Sequence, residues 1–192
     1  MTTFKTLSLL LATLFLGVSC AEKAKETKTV ADATPNKEQL IAKGEYLVKI
    51  AGCNDCHSPK RMGAHGPEVI PELMLSGYPA SLPVPKFDSK MLKQGFSMFM
   101  PDLTAAAGPW GISFAGNLTP DETGLGNWKE DNFKRAMKEG KYKGSEGGRM
   151  LLPPMPWQNY ITMKDEDISA MFAYLKSIKP VRNLVPTPVA PI

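Results

Sequence analysis

The sequence predicts a mainly α-helical domain with long irregular loops, and three observations predict it. A capped amphipathic pattern starts at Asn36, and a second starts near Thr162. Between them lies a long stretch rich in Pro, Gly and Met with no sustained period. At the end of the first pattern stands Cys53-Asn54-Asp55-Cys56-His57, a pentapeptide that gives the helices something to pack around.

The first helix opens with a capping box, Asn36 answered by Gln39 three residues on. Leu40, Ile41, Leu47, Val48 and Ala51 then recur at the spacing of one helical face. Gly44 falls on that same face, where it costs about 1 kcal/mol against Ala. Close approach of another helix is the expected reason.

Residues 58–126 carry no long periodicity, and a loop of that length inside a compact domain is suspect. Short helices are expected near residues 71–76 and 89–96, with an extended segment over 111–118. Asn127 and Glu130 cap a further helix through Phe133, Ala136 and Met137, closed by Gly140. Thr162 and Asp165 cap the last one, with Ile168, Met171, Phe172, Leu175 and Ile178 on one face and Pro180 beyond its end. The chain finishes in a proline-rich extended stretch. The domain is placed at residues 37–185 and the tail at 186–192.

The pentapeptide states a covalent chemistry. Two thiols at C-x-x-C spacing add across the two vinyl groups of a haem, and the adjacent imidazole falls under the iron. Cys53, Cys56 and His57 therefore point to one covalently attached haem, since no second C-x-x-C-H occurs. Two other readings stand beside it. A zinc site would need a second ligand pair, for which only Cys20 and His65 remain. A disulfide between Cys53 and Cys56 would suit an exported chain.

The N-terminus reads as an export signal over residues 1–19. Lys5 precedes Leu7–Val18, a 12-residue, almost wholly apolar stretch. Such a stretch rises only about 18 Å as a helix, too little for a hydrocarbon core of about 30 Å. Leu16-Gly17-Val18-Ser19-Cys20 resembles a bacterial lipoprotein box, which makes Cys20 the expected lipid-bearing residue of an anchor in a membrane. Residues 20–36 are charged, small and aromatic-free, the composition of a flexible tether. Haem and lipid together would account for all three cysteines. The formal charge of +4 loses one with Lys5. So mild an excess, without an arginine-rich stripe, does not suggest nucleic acid as a partner.

The second iron ligand decides between an electron carrier and a gas or peroxide binder. Of eleven Met, Met155 stands apart in Leu151-Leu152-Pro153-Pro154-Met155-Pro156-Trp157. Prolines on both sides stiffen this loop and present the thioether outside a helix. His65, in Gly63-Ala64-His65-Gly66, is the alternative. Trp128, Tyr142 and Arg149 are candidates for holding the haem propionates.

Four motifs occur in order: AGCNDCH (51–57), NLTPDETGLGNW (117–128), LLPPMPW (151–157) and DEDISAMFAYLKSIKPV (165–181). This set resembles the single-haem c-type cytochromes of the bacterial periplasm, and in particular the cytochrome c subunits of membrane-associated dehydrogenases. The resemblance implies cytochrome c-like helices packed around one haem c. It further implies thioether links at Cys53 and Cys56, axial ligation by His57 and Met155, and contact of the first helix with the last near Gly44 and Tyr174. The segment from Ser58 to Gly116 departs from the family pattern by its length.

The function expected is single-electron transfer between periplasmic or membrane redox partners, such as a dehydrogenase, an oxidase or another cytochrome. The chain would work from the periplasmic face of a bacterial membrane, anchored by lipid. No nucleophile, paired carboxylate or Ser/His arrangement asks for catalysis of its own. The alternative is a haem-based sensor or peroxidase-like enzyme with a displaceable sixth ligand, for which His65 would be the distal group.

Overall fold

The computed structural model describes residues 35–191. The expected signal, Cys20 and most of the tether lie outside the described residues. Helix α1 spans Lys37–Ile50, and its expected capping box is present: the Asn36 side chain accepts from the Gln39 amide at 2.9 Å, and Gln39 Oε1 accepts from the Asn36 amide at 3.0 Å. A one-turn helix, α2, follows at Cys53–His57.

The next segment is not an irregular loop. β1 (Lys60–Gly63) and β2 (Gly66–Val69) form an antiparallel hairpin. A 3₁₀ turn at Pro71–Leu73 and helix α3 (Ser89–Lys93) occupy the two places where short helices were expected. β3 (Met98–Phe99), β4 (Ala105–Gly108) and β5 (Gly111–Phe114) then make a three-stranded antiparallel sheet in that order.

Helix α4 covers Glu130–Glu139 and ends at Gly140, whose φ of 65° is the left-handed cap conformation. Its start differs from the expected one. Asn127 belongs to the preceding turn, which closes with the Trp128 amide donating to the Leu125 carbonyl at 3.0 Å. The helix therefore begins two residues later, with Asn132 Oδ1 accepting from the Lys129 amide at 2.9 Å. Helix α5 spans Asp165–Ser177, and Thr162 does not cap it; Lys164 holds that position without a side-chain bond. Asp165, Glu166 and Asp167 in its first turn complement the positive end of the helix dipole instead.

The core sits where α1, α4 and α5 meet. Val48, Phe133, Met137, Ile168, Met171 and Leu175 form it with Leu75 and Leu125. The closest approach is at Gly44, where a Cβ would lie 1.9 Å from the Ala170 carbonyl oxygen and 2.8 Å from Tyr174 Cβ. The C-terminal stretch is tied down: Val189 and Ile112 exchange backbone hydrogen bonds at 2.9 Å, lengthening the sheet at β5. Among the described residues no helix is long and apolar enough to cross a membrane.

Candidate haem site

α1 leads directly into the pentapeptide. Gly52, at φ 69°, reverses the chain in a conformation that other residues adopt only with strain, and α2 starts on the far side of it. Cys53 and Cys56 are both free thiols, half-buried, about one turn apart. Burial pushes the Cys53 thiol up to about 11. Cys56 is raised by burial and by the Asp55 carboxylate, with the Lys60 ammonium opposing. Among the described residues no group of three His, Cys, Asp or Glu is placed to hold a bare metal ion.

His57 is held from two directions. Its carbonyl accepts from the Gly77 amide at 2.7 Å, and ring Nδ1 lies 2.7 Å from the Gly116 carbonyl oxygen. A carbonyl can only accept, so Nδ1 carries the proton and Nε2 keeps its lone pair. Burial lowers the imidazole pKa and favours the neutral ring, the form that binds metals. Ser58 connects this turn to the core, donating to Asn54 Oδ1 at 2.8 Å and accepting from the Leu75 amide at 2.9 Å.

Met155 sits on a loop fastened at several points. The Leu151 amide donates to the Gly140 carbonyl at 2.6 Å, and the Ser113 hydroxyl of β5 donates to the Pro153 carbonyl at 2.6 Å. Trp157 lies against Gly140, where a Cβ would meet its ring at 2.4 Å. Met155 is half-buried and packs on the same core cluster as Cys53, Leu118, Trp128 and Tyr160. The Tyr160 hydroxyl closes the arrangement by donating to the Ala51 carbonyl at 3.0 Å, beside the start of α2.

The donor set fits a covalently bound haem: two free thiols, a neutral imidazole with one nitrogen uncommitted, a braced thioether and an apolar lining. Tyr142 and Arg149 come together, with the guanidinium 3.7 Å above the phenol ring, at a surface groove of about 370 Å³ shared with Trp110 and Leu152. Trp128 lies apart from them, on the core cluster. His65 is exposed at the tip of the β1–β2 hairpin. Gly116, Ser113, Ser58 and Tyr160 went unpredicted. None carries a local sequence signal, because each has a partner 17 or more residues along the chain.

The sequence profile described as cytochrome c matches residues 41–179. The chain belongs to the cytochrome c family. With the family comes covalently bound haem c as cofactor. Among relatives of this cytochrome, the gluconate 2-dehydrogenase cytochrome c subunit of Pantoea cypripedii is 30% identical over 79% of the chain. The cytochrome c subunit of the quinone-type alcohol dehydrogenase of Gluconobacter oxydans is 28% identical over 79%. The fructose dehydrogenase cytochrome subunit of Gluconobacter japonicus is 27% identical over 73%. The matched region spans 26%, 24% and 22% of these relatives, so the cytochrome corresponds to about a quarter of their length.

Proposed function

We propose that this cytochrome is a one-electron carrier whose single haem c is linked through Cys53 and Cys56. His57 Nε2 and Met155 Sδ would hold its iron. The observation that carries this reading is the bond between His57 Nδ1 and the Gly116 carbonyl, which fixes the tautomer and aims the free nitrogen. When bound, haem supplies a one-electron couple, and His/Met ligation raises its potential.

The protein's own residues have three tasks. The α1–α5 core and α2 hold the thiols and imidazole on one rigid element. Ser113, Gly140 and Trp157 keep the Met155 loop from moving, so that an electron enters or leaves with little rearrangement. The apolar side chains around Cys53 and Met155 keep water from the metal.

The relatives are cytochrome subunits of dehydrogenases. A membrane-associated dehydrogenase subunit is accordingly the partner proposed as electron donor, docking through a small transient contact. Residues 1–19 are proposed as the export signal, Cys20 as the lipidated residue on the periplasmic side, and residues 20–36 as the tether. An anchor of two or more acyl chains gives stable membrane attachment where one does not.

Three experiments test this reading. A haem stain on the denatured protein is expected to be positive, since thioether links survive denaturation. The ferric spectrum should then show a far-red thioether-to-iron charge-transfer band that Met155→Ala abolishes and His65→Ala leaves intact. An unchanged band in Met155→Ala moves the ligand elsewhere, and a high-spin spectrum that shifts with cyanide assigns the protein to ligand binding instead. Cys20→Ser should shift the protein out of the membrane fraction; full retention there rejects the anchor.

A further inference from the structure

Lys60, the first residue of β1, folds its side chain back over the pentapeptide helix. Its ammonium lies within hydrogen-bonding distance of four backbone carbonyls: Asp55 at 2.6 Å, Asp102 at 2.9 Å, Ser58 at 3.1 Å and Asn54 at 3.4 Å. Three of these belong to α2 and the residue after it. A helix leaves its last carbonyls without partners inside the helix. In one as short as α2, little else is available to satisfy them. The fourth acceptor, Asp102, comes from the turn between β3 and β4, 42 residues along the chain.

An ammonium has three N–H donors, so this one is fully engaged and held in one place. Its acceptors are all neutral carbonyls. Among the described residues, no carboxylate comes within 4.0 Å of it to form an ion pair. Lys60 is half-buried, so water screens the charge only in part. The charge sits on the carbonyl of Asp55, the residue that precedes Cys56, at 2.6 Å.

We propose that Lys60 is a positioning residue for the haem of this cytochrome. Its ammonium ties the attachment helix to the inserted sheet and places a fixed positive charge beside the macrocycle, favouring the ferrous state. This rests on the attachment at Cys53 and Cys56 proposed above. The sign follows from charge alone. Reduction lowers the positive charge at the iron, so a nearby cation stabilises the reduced form relative to the oxidised one. Removing the ammonium also leaves several carbonyl oxygens, negative ends of dipoles, facing the same region unpaired.

The test is a spectroelectrochemical titration of the haem-loaded full chain and of Lys60→Met, Lys60→Gln and Lys60→Arg. Met and Gln are expected to lower the ferrous-to-ferric ratio at a fixed applied potential by about threefold to tenfold, where tenfold is about 59 mV for one electron. Arg keeps the charge and donors and is expected to stay within twofold of the unsubstituted protein. A Lys60→Met protein with the original potential and an intact far-red band overturns the proposal. Should Met fail to mature, the Arg and Gln variants decide: a lower ratio in Gln alone supports it, and equal potentials in both overturn it. Absence of haem from the unsubstituted, denatured chain is a different result and removes the attachment reading itself.

Discussion

A methyl group at position 44 would stand 1.9 Å from the Ala170 carbonyl oxygen, well inside contact distance. Gly to Ala within a helix normally stabilises by about 1 kcal/mol. Here the sign reverses, because α5 backbone must move to admit the methyl, and overpacking of this kind costs about 1–3 kcal/mol. Gly44→Ala is expected to lower the urea midpoint of the haem-loaded protein, and a raised midpoint would show that the helices separate freely. The position could be read from sequence, since a glycine on an apolar stripe asks for a neighbour. The acceptor for His57 could not: Gly116 acts through its backbone carbonyl, 59 residues away, and no side chain announces it. Ser113 was equally silent. Its hydroxyl holds Pro153 at 2.6 Å, two residues from Met155. Ser113→Ala removes a hydrogen bond worth about 1 kcal/mol. If the loop opens more often by that amount, exogenous imidazole should displace the sixth ligand about fivefold faster. Identical displacement kinetics would mean that the remaining contacts suffice.

The helices α1, α4 and α5 were predictable because each buries one face, and a 3.6-residue repeat of Leu, Ile, Val, Phe and Met is visible locally. Their ends were less so. Turn bonds from Trp128 and acidic residues in α5 replace the capping side chains expected at Asn127 and Thr162. β5 falls within the extended segment expected over 111–118, but the other strands escaped notice for a physical reason. β4 reads Ala105-Ala106-Ala107-Gly108 and is buried at every position, so it lacks both the alternation and the β-branched residues that mark a strand. β1 and β2 are exposed at their central positions, fully buried at none, and carry no apolar face. The Met155 loop was readable because its prolines declare stiffness, but the sheet that braces it was not. The proline-rich end of the chain likewise shows no periodicity, yet Asn183 makes it structural. Its side chain donates to the carbonyls of Ser76 at 2.7 Å and Tyr78 at 2.9 Å and accepts from the Ala80 amide at 2.8 Å. Asn183→Ala unpairs three backbone groups beside the turn that holds the His57 carbonyl. A loss of about 2–3 kcal/mol is expected in chemical denaturation. A loss below about 0.5 kcal/mol would mean that water replaces the side chain without cost.

For the molecule as a whole, the carboxylates at one end of the helical core set the response to acid. Lys43 of α1 pairs with Asp167 of α5, and Lys134 and Lys138 of α4 reach Asp165, so three helices meet through charge. Glu130 joins them, accepting from the Ser169 hydroxyl of α5 at 2.5 Å and pairing with Lys134 at 3.0 Å. The Ser169 hydrogen bond first, then Lys134, holds the Glu130 carboxyl below its ordinary range. Lys138 does the same for Asp165. Groups of this kind bind fewer protons folded than unfolded at acid pH, so stability rises with pH through that window. Their contribution is complete above the ordinary carboxylate value and disappears as pH falls through the folded one. Acid also threatens iron ligation, which makes the absolute stability curve ambiguous. A difference between two proteins sharing the same ligands cancels that term. Ser169→Ala should be less stable than the original chain at pH 6 by about 0.5–1 kcal/mol, a hydrogen bond to a charged acceptor discounted for its exposure. As pH falls below the ordinary carboxylate range the gap should narrow, because the acceptor becomes increasingly protonated in both. A gap that stays constant from pH 6 to pH 3 would transfer the role of Ser169 to its other acceptor, the Asp165 carbonyl at 2.8 Å, which does not titrate.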